Sequence, residues 1–399
     1  MHDVSKIPPA GDNIREWLTR AISAGASDLH LVAGYPPVLR LHGDLVKMAE
    51  PKLTGEETLH LARSLCSPDA FARLQVQKDI DFSFELAVDG RFCRFRANLF
   101  RSEGHHGACV RVVPASIPAF DWAGFPEDLA KRLAFLRDGL VIVTGATGSG
   151  KTTTLAMIVN LLNLAGGYRI ITVEEPVEYV FPRVAGSVVT QREVGSDVLT
   201  FADGLKYGLR QDPDVILVGE MRDYETIETA MTAAETGHLV MSTLHTMDAA
   251  ETVNRIIGVF PPYHQRQVRI QLAGVIKGVI SQRLVPRADG KGRVPAVEVM
   301  LGTLRVRECI DDKEKTKQLH DCIAQGYVSY GMQTFDQSLM KLYTSKLITY
   351  DEAVRQSTNP DDFALKVSGI SGTSDASWDG FEDKGDPAAE PEKLAIEKF

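Results

Sequence analysis

The chain has 399 residues, 44% of them hydrophobic and 24% charged, which allows two domains with cores of their own and excludes a fibrous or wholly disordered polymer. Its 44 basic residues face 53 acidic ones for a formal net charge of −9, and −5 of that falls in residues 368–399, which hold eight acids and three bases. The rest is close to neutral, so general nucleic-acid binding, which depends on neutralising phosphates, is not expected.

From the N-terminus, Ile14, Trp17, Leu18, Ala21 and Ile22 recur at helical spacing and predict an amphipathic helix over 12–25, ending near Gly25. Short strands follow at SDLHL (27–31) and in the hairpin VLRLHGDLV (38–46), turning on His42, Gly43 and Asp44. A helix opens at Thr54, where Glu57 completes a capping box. Three strands come next, IDFSFEL, RFCRFRANLF and ACVRVVP, with a turn at Asp89 and Gly90. In the middle one, Cys93, Phe95, Ala97 and Leu99 share one face and Arg94, Arg96 and Asn98 the other. That second face is read either as a solvated surface or as a functional one. Residues 1–115 therefore make a small α+β domain, and the proline-bearing run from Pro114 to Pro126 supplies a linker at 116–126.

Residues 127–367 alternate strands and helices. GLVIVTG leads into a glycine loop and the helix TTTLAMIVNLLNLA, and YRIITVEE, DVILVGE and HLVMSTLH are further apolar strands, each followed by helix-like sequence. This order implies a mainly parallel sheet covered on both faces, an α/β fold with a RecA-like core. From Ser368 onward Ser, Gly, Asp, Glu and Pro dominate, and a disordered acidic tail is expected over 368–399. The five cysteines include no C-x-x-C pair and read as free cytosolic thiols. With no signal-peptide layout and no run of 18 apolar residues, a cytoplasmic chain that does not itself cross a membrane is expected.

Gly145-Ala146-Thr147-Gly148-Ser149-Gly150-Lys151-Thr152 matches G-x-x-x-x-G-K-[ST] between a strand and a helix. Glycines there let successive N–H groups turn inward on phosphate oxygens, at the positive end of a helix dipole. Lys151 supplies a charge for the β and γ phosphates of ATP, Thr152 a hydroxyl for Mg2+, and Thr153 continues the loop into the helix. Such a site needs carboxylates at neighbouring strand ends, one for the metal's water shell and one to polarise the attacking water. DPDVILVGEMRD offers Glu220, in the Walker B place and a metal candidate with Thr152. ITVEEPVEY offers Glu174, Glu175 and Glu178, and the residues alone do not divide the roles. His238 and His245 bracket the strand LVMSTLH and are read as a γ-phosphate sensor or proton relay near the sheet's carboxyl edge, or as structural histidines.

These segments together resemble the secretion ATPase superfamily and, within it, the PilT/PilU family of type IV pilus retraction motors. LRQDPDVILVGEMRD (209–223) resembles the superfamily signature, ITVEEPVEY its Asp box with Glu175 where aspartate is usual, and TAAETGHLVMSTLHT its His box; the resemblance spans residues 12 to about 367. It implies a hexamer binding nucleotide between a PAS-like N-terminal domain and the ATPase core, against the neighbouring subunit. By the same resemblance Arg94, Arg96 and Arg111 are arginine fingers, Glu178 is the water-activating base and Glu220 the Walker B acid. It further implies action at the cytoplasmic face of the inner membrane on a pilus platform protein, alone or with a paralogous motor ATPase. Assembly and type II secretion relatives generally carry a further N-terminal domain and a four-cysteine zinc module, neither of which is seen in this sequence.

Overall fold

The computed structural model describes residues 12–369 apart from 42–43, 89–90 and 114–115. The turns expected on His42–Gly43 and Asp89–Gly90, the Pro114 end of the linker and the tail from residue 370 onward lie outside the described residues.

The N-terminal sheet contains β1 (Asp28–Val32), β2 (Val38–Leu41), β3 (Asp44–Lys47), β4 (Asp79–Val88), β5 (Arg91–Ser102) and β6 (His105–Val112) in the order β3-β2-β1-β6-β5-β4. Its pairings are antiparallel. One face is apolar: Leu29 on β1, Phe95, Ala97 and Leu99 on β5 and Val110 on β6 are fully buried. Helices α1 (Asp12–Ser23), α2 (Gly55–Leu65) and α3 (Pro68–Gln77) contribute Ile14, Leu18, Leu61 and Leu74 to the same core. α2 starts where its sequence demands: Thr54 accepts from the Glu57 N–H while the Glu57 carboxylate accepts from the Thr54 N–H. The Cys93 side of β5 is thus committed to packing, which leaves Arg94 and Arg96 together on the opposite face.

The second sheet contains β7 (Gly139–Thr144), β8 (Arg169–Glu174), β9 (Val188–Glu193), β10 (Val215–Val218), β11 (Leu239–Leu244), β12 (Ile276–Pro286) and β13 (Arg293–Leu301). The order is β13-β12-β7-β11-β10-β8-β9, parallel throughout except for the antiparallel β12–β13 edge. β7, β10 and β11 are buried at every residue, which explains why they read as continuous apolar runs without alternation. Short helix α4 (Phe120–Ala123) precedes α5 (Glu127–Ala134); α5 and α6 (Lys151–Ala165) cover one face with Val141 and Val143. α7 (Phe201–Gly208), α8 (Tyr224–Glu235), α9 (Ala249–Gly258) and α10 (Gln265–Val275) cover the other with Leu140 and Ile142. The result is a RecA-like α/β core with a smaller α+β unit of PAS-like strand order before it.

The 116–126 segment contains α4, and Phe125 is buried beside Ile117 and Phe120 on the core under α5. One expectation is corrected. β8 is followed not by a helix but by an irregular run containing a cis Glu175–Pro176 bond, which returns as the parallel edge strand β9. Beyond β13, short helices from Leu304 to Val367 close a further cluster around Phe335, Leu339 and Phe363.

Candidate functional site

The carboxyl ends of β7, β8, β10 and β11 open into a cavity of about 1150 Å3. From the core it is walled by the phosphate loop, Glu174, Glu175, Glu178, Glu220 and His245, and from the N-terminal sheet by Arg96 and Arg111.

The phosphate loop is built as its glycines require. Gly145, Gly148 and Gly150 have φ of 145°, 79° and 89°, outside what side-chain-bearing residues favour. A Cβ on Gly145 would lie 2.3 Å from the Gln282 carbonyl oxygen, whereas one on Gly148 would meet nothing within 4 Å, so Gly148 marks the side that opens to a ligand. Lys151 is buried and its ammonium donates to the Gly145 and Ala146 carbonyls at 2.9 and 3.0 Å. Burial pushes its pKa down, opposed by the negative charges of Glu220 and Glu178. Thr152 and Thr153 line the same wall, and the Thr153 hydroxyl lies 3.0 Å from the Tyr179 hydroxyl.

Glu220 sits just beyond β10, whose tip is tied to its neighbours. Gly219 N–H donates to Val173 O at 2.8 Å, and the Ser242 and Thr243 hydroxyls of β11 donate to Val218 O and Gly219 O at 2.7 and 2.6 Å. The Glu220 carboxylate accepts from Arg222 Nε at 2.6 Å and lies 3.6 Å from His245 Nε2. His245 has its pKa lowered by burial first and then by Lys151 and Arg222, against Glu220. Glu174 is buried, accepts from the Thr172 hydroxyl at 2.5 Å and the Gln191 amide at 3.1 Å, and burial lifts its pKa to about 7. Glu178 faces the cavity two residues beyond the cis proline. A protonatable acid, the partly buried carboxylates of Glu178 and Glu220 and a buried ammonium thus surround one pocket.

Two of the catalytic candidates are not brought into it. His238 lies at the amino end of β11, its Nδ1 3.0 Å from Ala233 O and its carbonyl accepting from Gly139 N–H. The six-residue strand between it and His245 spans about 20 Å, so only His245 reaches the carboxyl edge. Arg94 shares a face with Arg96 but is absent from the cavity wall: its guanidinium donates to Val177 O at 3.1 Å, to Glu85 at 3.2 Å, to Ser83 at 2.6 Å and to Glu193 at 2.7 Å. Of the other two arginines, Arg111 donates to Asp28 at 2.8 Å and Arg96 stands 3.8 Å from Asp81.

Sequence reasoning missed Gln282 on β12. Its amide donates to Ser149 O at 2.7 Å and its carbonyl accepts from Thr154 Oγ1 at 2.9 Å, so one buried side chain holds both the loop and the first turn of α6. It also missed Arg287, Lys291 and Arg293, which reach the cavity from the turn joining β12 to β13; the signal was the basic run RADGKGR between two apolar strands.

A glycine loop between β7 and α6, a buried lysine, and acids at the tips of β8 and β10, with β11 inserted between the β7 and β10 strands, define a P-loop ATPase of the RecA type. The family model for type II/IV secretion system proteins matches residues 6–356, and the chain belongs to that family, in its PilT/PilU branch. It is 41% identical over 351 residues to the type IV pilus retraction ATPase PilT of Pseudomonas aeruginosa, covering 88% of this chain and 100% of that one. To the type IV pilus ATPase PilU of the same organism it is 36% identical over 355 residues, 89% of this chain and 91% of PilU. The crystal structure of the pilus retraction motor PilT with bound ADP superposes with a TM-score of 0.79 at 45% identity, covering 87% of this chain and 98% of that chain. Among the described residues no helix is long and apolar enough to cross a membrane.

Proposed function

We propose that the chain is a homo-hexameric motor that powers type IV pilus retraction, working at the cytoplasmic face of the inner membrane on a pilus platform protein. Residues 1–115 and 127–367 act as its two moving parts, joined through 116–126. The observation that carries this reading is the single cavity in which Lys151, Glu178, Glu220, Arg96 and Arg111 meet, with one wall from each sheet. Likeness to PilT over the whole length of that protein supports the retraction role.

In this reading amides of Gly145–Thr152 and the Lys151 ammonium hold the triphosphate, and Glu178 takes a proton from the attacking water. Arg96 and Arg111 offset charge on the transferring phosphoryl group, after Arg111 exchanges Asp28 for it. Arg94 supports the site without entering it, and His238 has no part. The Thr152 hydroxyl and the Glu220 carboxylate line one cavity with hard oxygen donors, which fits Mg2+ held chiefly by phosphates and water. When bound, Mg2+ supplies neutralisation of phosphate charge.

Mg2+-dependent ATP hydrolysis by the purified protein, abolished in Lys151→Ala, tests the chemistry; equal rates in the two overturn it. Deleting the gene and counting surface pili tests the role: hyperpiliated cells without twitching support retraction, and bald cells replace it with assembly. Likeness to PilU favours one second reading, an accessory subunit dependent on a paralogous motor; full retraction in a strain carrying only this motor removes it.

A further inference from the structure

The run that carries Glu178 alternates in burial: Val177, Tyr179 and Phe181 are buried, Glu178 is half-exposed and Val180 exposed. No ladder of backbone hydrogen bonds explains this. Side chains of the edge strand β9 do. Glu193 accepts from the Val177 N–H at 3.2 Å. Gln191, two residues away on the same face of β9, donates to Tyr179 O at 2.8 Å and accepts from the Phe181 N–H at 3.0 Å. The odd-numbered residues are therefore strapped to β9, and Glu178 is left on the face that looks into the cavity.

The strap is also tied to the other sheet. One oxygen of Glu193, on a side chain only 6% exposed, accepts from the Ser83 hydroxyl of β4 at 2.6 Å and from the Arg94 guanidinium of β5 at 2.7 Å, as well as from Val177. Arg94 completes the clasp by donating through Nε to Val177 O at 3.1 Å. Both backbone polar groups of Val177 are thus engaged, its N–H by the core and its carbonyl by the N-terminal sheet. A guanidinium fork is suited to holding a carboxylate and a carbonyl at once, which a lysine ammonium on a flexible stem is not.

We propose that Glu193 is a positioning residue for hydrolysis, fixing Glu178 through Val177, and that Arg94 makes this setting depend on the docking of the N-terminal sheet. Undocking that sheet withdraws Arg94 and Ser83 from Glu193, releases Val177 and lets Glu178 leave its place opposite the phosphate loop. Arg94 thereby acts on the chemistry without reaching the nucleotide, and the sheet's position sets the turnover rate. This inference rests on the reading of Glu178 as the base.

The test uses the full-length protein with Mg2+ and ATP, reading kcat from phosphate release and nucleotide affinity from titration with a fluorescent ADP analogue. Glu193→Ala is expected to lower kcat by about 10²-fold, the scale of a misplaced reacting group, with ADP affinity unchanged. Glu193→Gln, which keeps an acceptor for Val177, restores most of that loss, and Arg94→Lys, lacking the fork, does not retain activity. Adding Arg94→Ala to Glu193→Ala costs nothing further, because both act through the backbone of one residue, Val177. Wild-type kcat in Glu193→Ala, a loss confined to ADP affinity, or additive losses in the double variant overturns the proposal. If Glu193→Ala does not fold, Arg94→Lys carries the same split between kcat and affinity. Glu178→Gln is measured alongside: if it still turns over, the reading of Glu178 fails, whereas a dead Glu178→Gln beside a fully active Glu193→Ala sinks this inference alone.

Discussion

Glu220 and His245 stand 3.6 Å apart, carboxylate oxygen to Nε2, across the tips of adjacent strands β10 and β11. The pairing is held by β11 hydroxyls donating to the carbonyls just before Glu220, so histidine and acid move as one unit. Burial, then Lys151 and Arg222, keep His245 neutral to below its ordinary value of 6.5. A neutral ring can exchange a proton with the site, while a charged one would pair with Glu220 and repel Lys151. Turnover is therefore expected to be level from pH 7 upward and to fall on acidification below 6.5 as the ring protonates. His245→Ala should turn over about tenfold more slowly at pH 7.5, without that acid limb. A pH–kcat profile of both proteins checks this, and an unchanged acid limb in the variant removes His245 from the assignment.

Gln282 offers a prediction of another kind, because its partners are 133 and 128 residues away and both bonds are buried. Gln282→Leu keeps the volume but strands the Ser149 carbonyl and the Thr154 hydroxyl, at about 1–3 kcal/mol for a buried polar group left unpaired. Thermal unfolding should shift down by several degrees and ADP affinity should weaken together, since the same side chain shapes the loop and starts α6. A variant with lowered Tm and unaltered affinity would show that the loop keeps its form without the strap.

How much of this was legible follows from distance along the chain. The phosphate loop is eight contiguous residues with glycine at the three positions of positive φ, and Glu220 lies just past the four buried residues Val215–Val218, so both were readable. Arg94 and Arg96 were not separable, because alternate residues of a strand share a face and only the opposing surface decides which reaches the cavity. His238 and His245 bracket one strand, and only the position of the phosphate loop at the carboxyl end separates them. β9 escaped notice because it is an edge strand of mixed polarity, VVTQRE, with no apolar run to mark it. Its Gln191 and Glu193 act on a loop whose path depends on the return to the sheet edge, which no local pattern discloses.

The two outer environments of the phosphate loop separate folding from binding. At Gly145 a methyl group would come within 2.3 Å of a backbone oxygen and 2.5 Å of Ser149 Oγ, so Gly145→Ala must push β12 away and is expected to unfold at markedly lower temperature. At Gly148 the methyl meets open space, and the cost to stability is the left-handed backbone alone, about 1–2 kcal/mol. Gly148→Ala should therefore remain folded yet lose ADP affinity, since the methyl projects where phosphate is to lie. Calorimetry with nucleotide titration of both variants checks the contrast; equal affinity in Gly148→Ala and wild type would place the phosphates elsewhere.

Glu298 on β13 makes stability depend on pH away from the cavity. It is only 4% exposed, accepts from the Ala249 N–H at 2.8 Å and the Ser281 hydroxyl at 3.2 Å, and burial raises its pKa from 4.5 to about 7 despite those bonds. Below pH 4.5 the acid is protonated folded or unfolded and has no effect. Between 4.5 and 7 the unfolded chain loses the proton and the folded one keeps it, so stability falls as pH rises, by up to about 3 kcal/mol. Above 7 both states are ionised and the deficit is constant. Glu298→Gln keeps an acceptor for Ala249 and has nothing to ionise, so it should match wild type near pH 4.5 and exceed it from pH 7 upward. Denaturant titrations of the two proteins at pH 4.5, 6 and 8 measure the gap, and a gap that does not widen across that range would mean that Glu298 is ionised in the folded protein and held by its two donors.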